Sequence, residues 1–275
     1  MAPMPSLPAF LQGLAPTLHI AHRGGSLLAP ENTLAAFRLA VERHRTQMLE
    51  TDVHLTRDGE LVVAHDATLE RCTDGAGPVG ALTLAELQRL DAGHHFSPDG
   101  GRTHPFRGQG VRLPSLRELL RAFPDLRLNI EVKPDVPGVE DAFAALLREE
   151  GALGRVCVGS ELDEVGERLA RVLPDACHFY PRDALTAFVL GVRMGEPVPE
   201  DPRYSVLDMP LYFGEVRLVD EALLRAARER GKWINVWTVD DPGEMRQLVA
   251  EGVGGIMTDR PDLLRQVLDA PPTPR

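Results

Sequence analysis

Met48-Leu49-Glu50-Thr51-Asp52-Val53-His54-Leu55 runs through Thr56-Arg57-Asp58-Gly59-Glu60 into Leu61-Val62-Val63-Ala64-His65, and this stretch decides the fold. The first eight residues read as a strand, with Leu49, Thr51 and Val53 on one face and Glu50 and Asp52 on the other. Asp58-Gly59 supplies the positive-φ position of a hairpin turn. Leu61 to Ala64 therefore returns antiparallel, because a parallel partner needs a crossover of about a dozen residues or more. The return arm is therefore not a barrel strand. It carries His65 back toward the end of the strand that holds Glu50 and Asp52.

On either side of this hairpin, short apolar runs alternate with amphipathic helical ones, the rhythm of a parallel α/β fold. Strands are expected at Leu18–Ala21, Met48–Leu55, Arg127–Lys133, Arg155–Val158, Ala176–Tyr180, Tyr204–Asp208, Lys232–Val239 and Gly255–Thr258. Helices are expected at Glu31–His44, Ser115–Ala122, Glu140–Glu149, Glu161–Val172, Asp183–Val192, Asp220–Arg230, Pro242–Glu251 and Pro261–Leu268. Eight parallel strands close a (β/α)8 TIM barrel. Residues 66–112 interrupt the rhythm with Gly, Pro and His and one short helix near Leu84–Leu90, capped by Thr83. They read as a small inserted subdomain after the second-strand hairpin, within a single catalytic domain spanning residues 1–275.

Composition narrows the class. At 43% hydrophobic and 26% charged, the chain can bury a large core and is not a disordered sequence. Its net charge of −11 argues against nucleic acid as a partner. No apolar run reaches the roughly 18 residues of a membrane span, so no stable membrane insertion is expected. The first 20 residues lack Lys and Arg and are broken by proline, which reads as a surface-packed leader rather than a secretory signal. Cys72, Cys157 and Cys177 are odd in number and widely spaced, implying a reduced, cytoplasmic protein. Of 30 basic residues only Lys133 and Lys232 are lysines.

In such a barrel, polar residues at the C-terminal strand ends carry the chemistry. Residues i and i+2 share a face about 6.6 Å apart. Glu50 and Asp52 then point inward, as do Asn129, Glu131 and Lys133, and Asn235 and Trp237. Three buried carboxylates without counter-charge would be strongly destabilising or protonated. Salt bridges to arginine account for any one of them. Three placed by independent strand periodicity favour one hard divalent cation, Mg²⁺ or Ca²⁺. His22-Arg23-Gly24-Gly25 closes the first strand, with Arg23 offering a fork for an oxyanion. His22 and His65 beside such a site suit displacement at phosphorus, one taking a proton and the other giving one. His19, His54, His94, His95 and His104 read as structural or solvated.

These motifs resemble the glycerophosphodiester phosphodiesterases, relatives of the phosphoinositide-specific phospholipase C barrels. The matching pieces are His22-Arg23-Gly24, Ala29-Pro30-Glu31-Asn32-Thr33, Glu50-Thr51-Asp52-Val53, Thr56-Arg57-Asp58-Gly59 and Val62-Val63-Ala64-His65-Asp66. Asn129-Ile130-Glu131-Val132-Lys133, Val236-Trp237-Thr238-Val239 and Thr258-Asp259-Arg260-Pro261 complete the series in family order. The resemblance implies hydrolysis of glycerophosphodiesters to sn-glycerol 3-phosphate and an alcohol. It implies His22 and His65 as the acid–base pair, Glu50, Asp52 and Glu131 as metal ligands, and Arg23 as the phosphate holder. Lys133 would stabilise the phosphate and Trp237 would wall the substrate pocket. Glu31 and Asn32 would hold the first loop, with Glu31 also charging a helix N-terminus. Residues 155–215 match poorly and leave the alcohol open; Tyr204, Tyr212 and Phe213 there suit a lipid or alcohol site and core packing equally, and Gly254 stands where a polar residue is common. Two alternatives compete. A lysophospholipase D acting on lipid needs an exposed apolar rim, for which the insertion offers only Phe96 and Phe106. A non-catalytic phosphodiester-binding barrel has no use for both histidines.

Overall fold

The computed structural model describes residues 8–14, 17–199 and 201–271. Its strands are β1 (Leu18–Ala21), β2 (Met48–Leu55), β3 (Leu61–Val63), β4 (Arg127–Val132), β5 (Val156–Gly159), β6 (Cys177–His178), β7 (Val206–Pro210), β8 (Tyr212–Phe213), β9 (Val216–Arg217), β10 (Trp233–Trp237) and β11 (Gly255–Thr258). Eight are parallel, in the order β6-β5-β4-β2-β1-β11-β10-β7. A parallel bridge between Phe179 and Val206 joins the two outer strands and nearly closes the barrel. The hairpin is as expected: β3 pairs antiparallel with β2, Val53 opposite Val63 and Leu55 opposite Leu61, outside the parallel path.

The helices are α1 (Leu34–His44), α2 (Leu84–Leu87), α3 (Leu116–Ala122), α4 (Val139–Glu149), α5 (Asp163–Val172), α6 (Arg182–Met194), α7 (Glu221–Glu229), α8 (Pro242–Glu251) and α9 (Pro261–Asp269). Outward-facing strand residues such as Leu49, Val53, Leu128 and Ile130 pack with Phe37, Leu119 and Phe143 of the surrounding helices. Inside, Leu18, Ile20, Met48, Cys157, Cys177, Val206 and Met257 fill the barrel. Cys157 and Cys177 are neighbours in register, free and buried, as small hydrophobes.

Two expectations change. The stretch expected to lie on the surface buries Phe10 and Leu11 in this interior cluster, and Arg127, which opens β4, donates to the Phe10 carbonyl at 2.9 Å. These side chains close the N-terminal end of the barrel, each contributing roughly 1.5–3 kcal/mol by burial. The rest of that stretch falls partly outside the described residues. The first helix begins at Leu34 rather than Glu31, because Thr33 caps it by accepting from the Ala36 amide at 3.3 Å. Thr83 caps α2 within a reciprocal capping box, as expected.

Residues 66–112 carry short elements and a small apolar cluster of Leu69, Val79, Leu87 and Ala92 against Val62 and Leu113. The β8–β9 hairpin, absent from the expected elements, rises after β7. Among the described residues, no helix is long and apolar enough to cross a membrane.

Candidate active site

The C-terminal ends of the strands surround a cavity of about 620 Å³. Every residue expected at the site lines it: His22, Arg23, Glu50, Asp52, His65, Glu131, Lys133 and Trp237. Strand register explains the convergence. Asp52 of β2 lies opposite Glu131 of β4, and Glu50 opposite Asn129. Like charges set directly opposite destabilise a sheet unless something neutralises them. Lys133 does this, its Nζ 2.8 Å from Glu131 Oε2 and 3.2 Å from Asp52 Oδ1. Arg23 Nε lies 3.5 Å from Asp52 Oδ2.

The β1 exit is a tight turn with Arg23 at φ 51°, Gly24 at 86° and Gly25 at 94°. A Cβ on Gly24 would meet Ala36 Cβ at 2.8 Å, and one on Gly25 would meet Pro261 Cγ at 2.7 Å. The glycines therefore satisfy both dihedral and space requirements. The turn aims the Arg23 amide at Glu50 Oε2, 2.9 Å away. Arg23 Nε is buried with no hydrogen-bond partner among the described residues.

Each histidine is oriented by a carboxylate. His22 Nδ1 bonds Asp259 Oδ1 at 2.7 Å, and its Nε2 lies 3.9 Å from Glu50 Oε2. His65 Nδ1 bonds Asp66 Oδ1 at 2.7 Å. Both rings thus keep Nε2 for chemistry. Burial works against the His22 imidazolium, but Glu50 and Asp259 outweigh it and hold His22 above its ordinary value. Glu50 is pushed up to about 8, by burial and then by the charge of Asp52. Burial also raises Glu131. Asp52 is held low despite burial, by Lys133 and Arg23.

Three residues of the site had no role assigned from the sequence: Asp259, although it stands in the Thr258-Asp259-Arg260-Pro261 motif, Arg71 and Asp208. Asp259 follows β11, its amide bonded to Asp240 Oδ1 at 2.8 Å. Arg71, from the insertion, forks onto Glu31 at 2.6 and 2.8 Å and onto Asp66 at 2.6 and 3.0 Å. Glu31 in turn accepts from Arg23 at 3.2 Å, so it links two arginines instead of charging a helix end. Asp208 on β7 accepts from Asn129 at 2.7 Å and Asn235 at 2.8 Å. Burial lifts its acid to about 6. Period-two alternation with Val206 would have placed Asp208 inside the barrel.

The remaining polar expectations also find their places. Asn32 accepts from Thr51 at 2.7 Å and donates to Asp52 Oδ2 at 3.0 Å, tying the first loop to β2. His19 bonds the Pro261 carbonyl and Thr46, and His54 the His65 carbonyl. His94, His95 and His104 do not line the cavity. Gly254 is explained by packing, since a Cβ there would stand 2.6 Å from the Trp233 indole. Trp237 is 41% exposed at the cavity rather than in the core.

The donor chemistry fits a hard divalent cation: three carboxylates share one cavity, and Glu50 is buried beside the charge of Asp52. Among the described residues, no group of three or more His, Cys, Asp or Glu is already arranged to hold a metal ion.

A mouth of this kind, with two oriented imidazoles facing carboxylates and cations at the head of a (β/α)8 barrel, belongs to the phosphodiesterase barrels. A family model described as the glycerophosphoryl diester phosphodiesterase family matches residues 22–263, and the chain belongs to that family. A glycerophosphodiester phosphodiesterase of Caldanaerobacter subterraneus subsp. tengcongensis is 35% identical over 90% of this chain and 96% of its own length. A Rattus norvegicus protein named lysophospholipase D is 27% identical over 91% of this chain and 86% of its own. The glycerophosphoryl diester phosphodiesterase domain of a Mycobacterium tuberculosis protein superposes with a TM-score of 0.82 at 25% identity, covering 91% of this chain and 98% of that one. An Oleispira antarctica phosphodiesterase in complex with the product sn-glycerol-3-phosphate gives a TM-score of 0.69 at 25% identity, covering 91% and 96%.

Proposed function

We propose that the protein hydrolyses glycerophosphodiesters to sn-glycerol 3-phosphate and an alcohol, using His22 and His65 as its acid–base pair. One observation carries the reading: two imidazoles, each tied through Nδ1 to a carboxylate at 2.7 Å, line one cavity with Arg23 and Lys133. A phosphodiester there places its non-bridging oxygens near both cations. One imidazole takes a proton from the attacking oxygen, and the other gives one to the departing alcohol oxygen. Each such transfer is worth about 10²–10⁴ in rate. Asp259 and Asp66 fix the tautomers. Trp237 walls the substrate. The attacking oxygen is that of water or of the glycerol moiety itself, and the same two imidazoles serve either.

Glu50, Asp52 and Glu131 would hold one divalent cation, Mg²⁺ or Ca²⁺. Bound there, it would polarise a phosphoryl oxygen and offset charge building at phosphorus. Burial, and then the charge of Asp52, raise the Glu50 acid, and a bound cation would favour its ionised form. The test is turnover of glycerophosphocholine by the purified chain, read as released glycerol 3-phosphate, before and after EDTA and after adding back Mg²⁺ or Ca²⁺. Turnover lost with chelator and restored by either ion is the expected result. Turnover insensitive to exhaustive chelation refutes the cation, and no turnover of any glycerophosphodiester with ions present refutes the activity.

A further inference from the structure

Of the carboxylates that line the cavity, Asp208 alone is paired with neither a cation nor an imidazole among the described residues; both its oxygens accept from amides instead. A carboxylate only accepts, so each amide turns its nitrogen toward Asp208 and its oxygen away. The two asparagines differ in what meets that oxygen. Asn235 Oδ1 accepts from Trp233 Nε1 at 2.9 Å, in a space kept open by Gly255, where any Cβ would collide with it. Asn129 Oδ1 meets no donor among the described residues, although Asn129 is only 2% exposed and lines the cavity. An amide oxygen so placed, with no donor from the protein, takes its partner from the cavity. Its neighbours indicate which partner. Asn129 lies opposite Glu50 in register and two positions before Glu131 on the same inward face. These are two of the three carboxylates assigned to the cation.

We propose that Asn129 Oδ1 is a fourth, uncharged oxygen ligand of the divalent cation, and that Asp208 is the positioning residue that keeps this oxygen turned toward it. Both roles rest on the cation reading above and deepen it. An uncharged donor suits a site that already has three carboxylates, because it adds an oxygen without adding to their mutual repulsion. Amide carbonyls are ordinary ligands of Ca²⁺ alongside carboxylates. Asp208 acts as the partner behind a ligand acts, fixing which atom the ligand presents. The control runs in one direction. Trp233 and Gly255 hold Asn235 so that its nitrogen faces position 208, and the side chain at 208 then decides which end of the Asn129 amide faces the cavity.

Asp208→Asn tests this control without leaving a hole. The new amide must offer its oxygen to the fixed nitrogen of Asn235, and so turns its own nitrogen on Asn129. Asn129 can accept from it only by turning over, which presents NH₂ to the cation. Every group of the network keeps a partner, so thermal melting should move little. The measurement is calorimetric titration of the metal-free chain with Ca²⁺ and with Mg²⁺ at pH 8, compared on whichever ion the wild type binds more tightly. Affinity should fall about 10- to 100-fold, the range for losing the group that orients a ligand. Asn129→Leu keeps the Asp208 charge and removes the oxygen, and should lower affinity too; Asn129→Ala takes its place should the leucine variant not fold. Asn129→Asp combined with Asp208→Asn exchanges carboxylate and amide. The new carboxylate then accepts from the new amide and still offers an oxygen to the cation, so most of the lost affinity should return. Wild-type affinity in both single variants overturns the proposal and leaves the cation reading standing. A loss in Asp208→Asn alone assigns the effect to charge, and losses that the exchange does not recover assign it to packing; either overturns the proposal. A loss confined to the Asn129 variant overturns the role of Asp208. A folded wild type that binds neither ion overturns the proposal and the cation reading together.

Discussion

Replacing Asp259 by Asn isolates the contribution of a group that stands in a sequence motif but whose partner, His22, lies at the other end of the chain. The carboxylate accepts from His22 Nδ1 at 2.7 Å, and its side chain is largely buried. His22 holds Asp259 below the ordinary carboxylate range even though burial opposes ionisation. Asparagine keeps the shape and one acceptor but removes the charge. A hydrogen bond to a charged partner is worth about 1.5–3 kcal/mol. At about 1.36 kcal/mol per tenfold, kcat should fall about 10- to 150-fold if that energy is realised when the imidazole is charged. The pH profile carries a second, independent consequence. His22 stands above its ordinary value because Glu50 and Asp259 outweigh burial. Removing Asp259 lowers it, so the limb of the kcat/KM profile that reports His22 moves to lower pH. The assay is glycerophosphocholine turnover from pH 5 to 9, with thermal unfolding as the check on folding. An Asn variant within twofold of the parent kcat, with both limbs unmoved, would refute the positioning role.

Arg71→Ala should lower kcat/KM about tenfold while shifting stability by less than about 1 kcal/mol, because its ion pairs are partly exposed and their effect is on orientation. Arg71→Lys should rescue little of that loss, since an ammonium cannot fork onto two carboxylates at once; steady-state kinetics and a melting curve separate the two effects. Gly25→Ala meets both a φ of 94° and Pro261, and should cost about 1–3 kcal/mol in urea unfolding. His19 is lowered to about 4 by burial. Its neutral form is favoured on folding, so its contribution is complete above about pH 6.5 and is lost as pH falls toward 4. By pH 4 the loss is about 3 kcal/mol, and His19→Gln should flatten that limb of a stability-versus-pH curve.

The barrel was legible because its signals are local. Alternation placed Glu50, Asp52, Asn129, Glu131 and Lys133 inward, and one Asp-Gly turn kept β3 out of the parallel strands. What stayed hidden depends on distant pairings. Asp259 sits 237 positions from the imidazole it orients, and Arg71 lies 40 positions from Glu31, in a segment with no regular period. Thr33 outcompeted Glu31 for the start of α1 because a hydroxyl can accept from the Ala36 amide, whereas Glu31 is drawn to two arginines. Of Tyr204, Tyr212 and Phe213, which the sequence offered equally to a lipid or alcohol site and to the core, Tyr204 is buried and Phe213 lines the cavity, because Phe213 faces a space that exists only once β7 and the hairpin are in place. Salt bridges, the competing account of the buried carboxylates, are present for Asp52 and Glu131, whereas Glu50 accepts from the Arg23 amide at 2.9 Å and faces the His22 imidazole at 3.9 Å.

The double fork of Arg71 has a consequence for how the molecule would fail. Segments with few buried apolar contacts open at lower free energy than a barrel core. Residues 66–112 rest on one small apolar cluster, separate from the larger clusters of the barrel, and Arg71 and Asp66 stand at the root of the segment. An opening there withdraws the brace from His65 and, through Glu31, from Arg23 at the same moment. The barrel would stay folded and Glu50, Asp52 and Glu131 would stay in place, yet turnover would stop. The insertion thus acts as a circuit breaker, so warming should silence the enzyme at a lower temperature than the one that melts it.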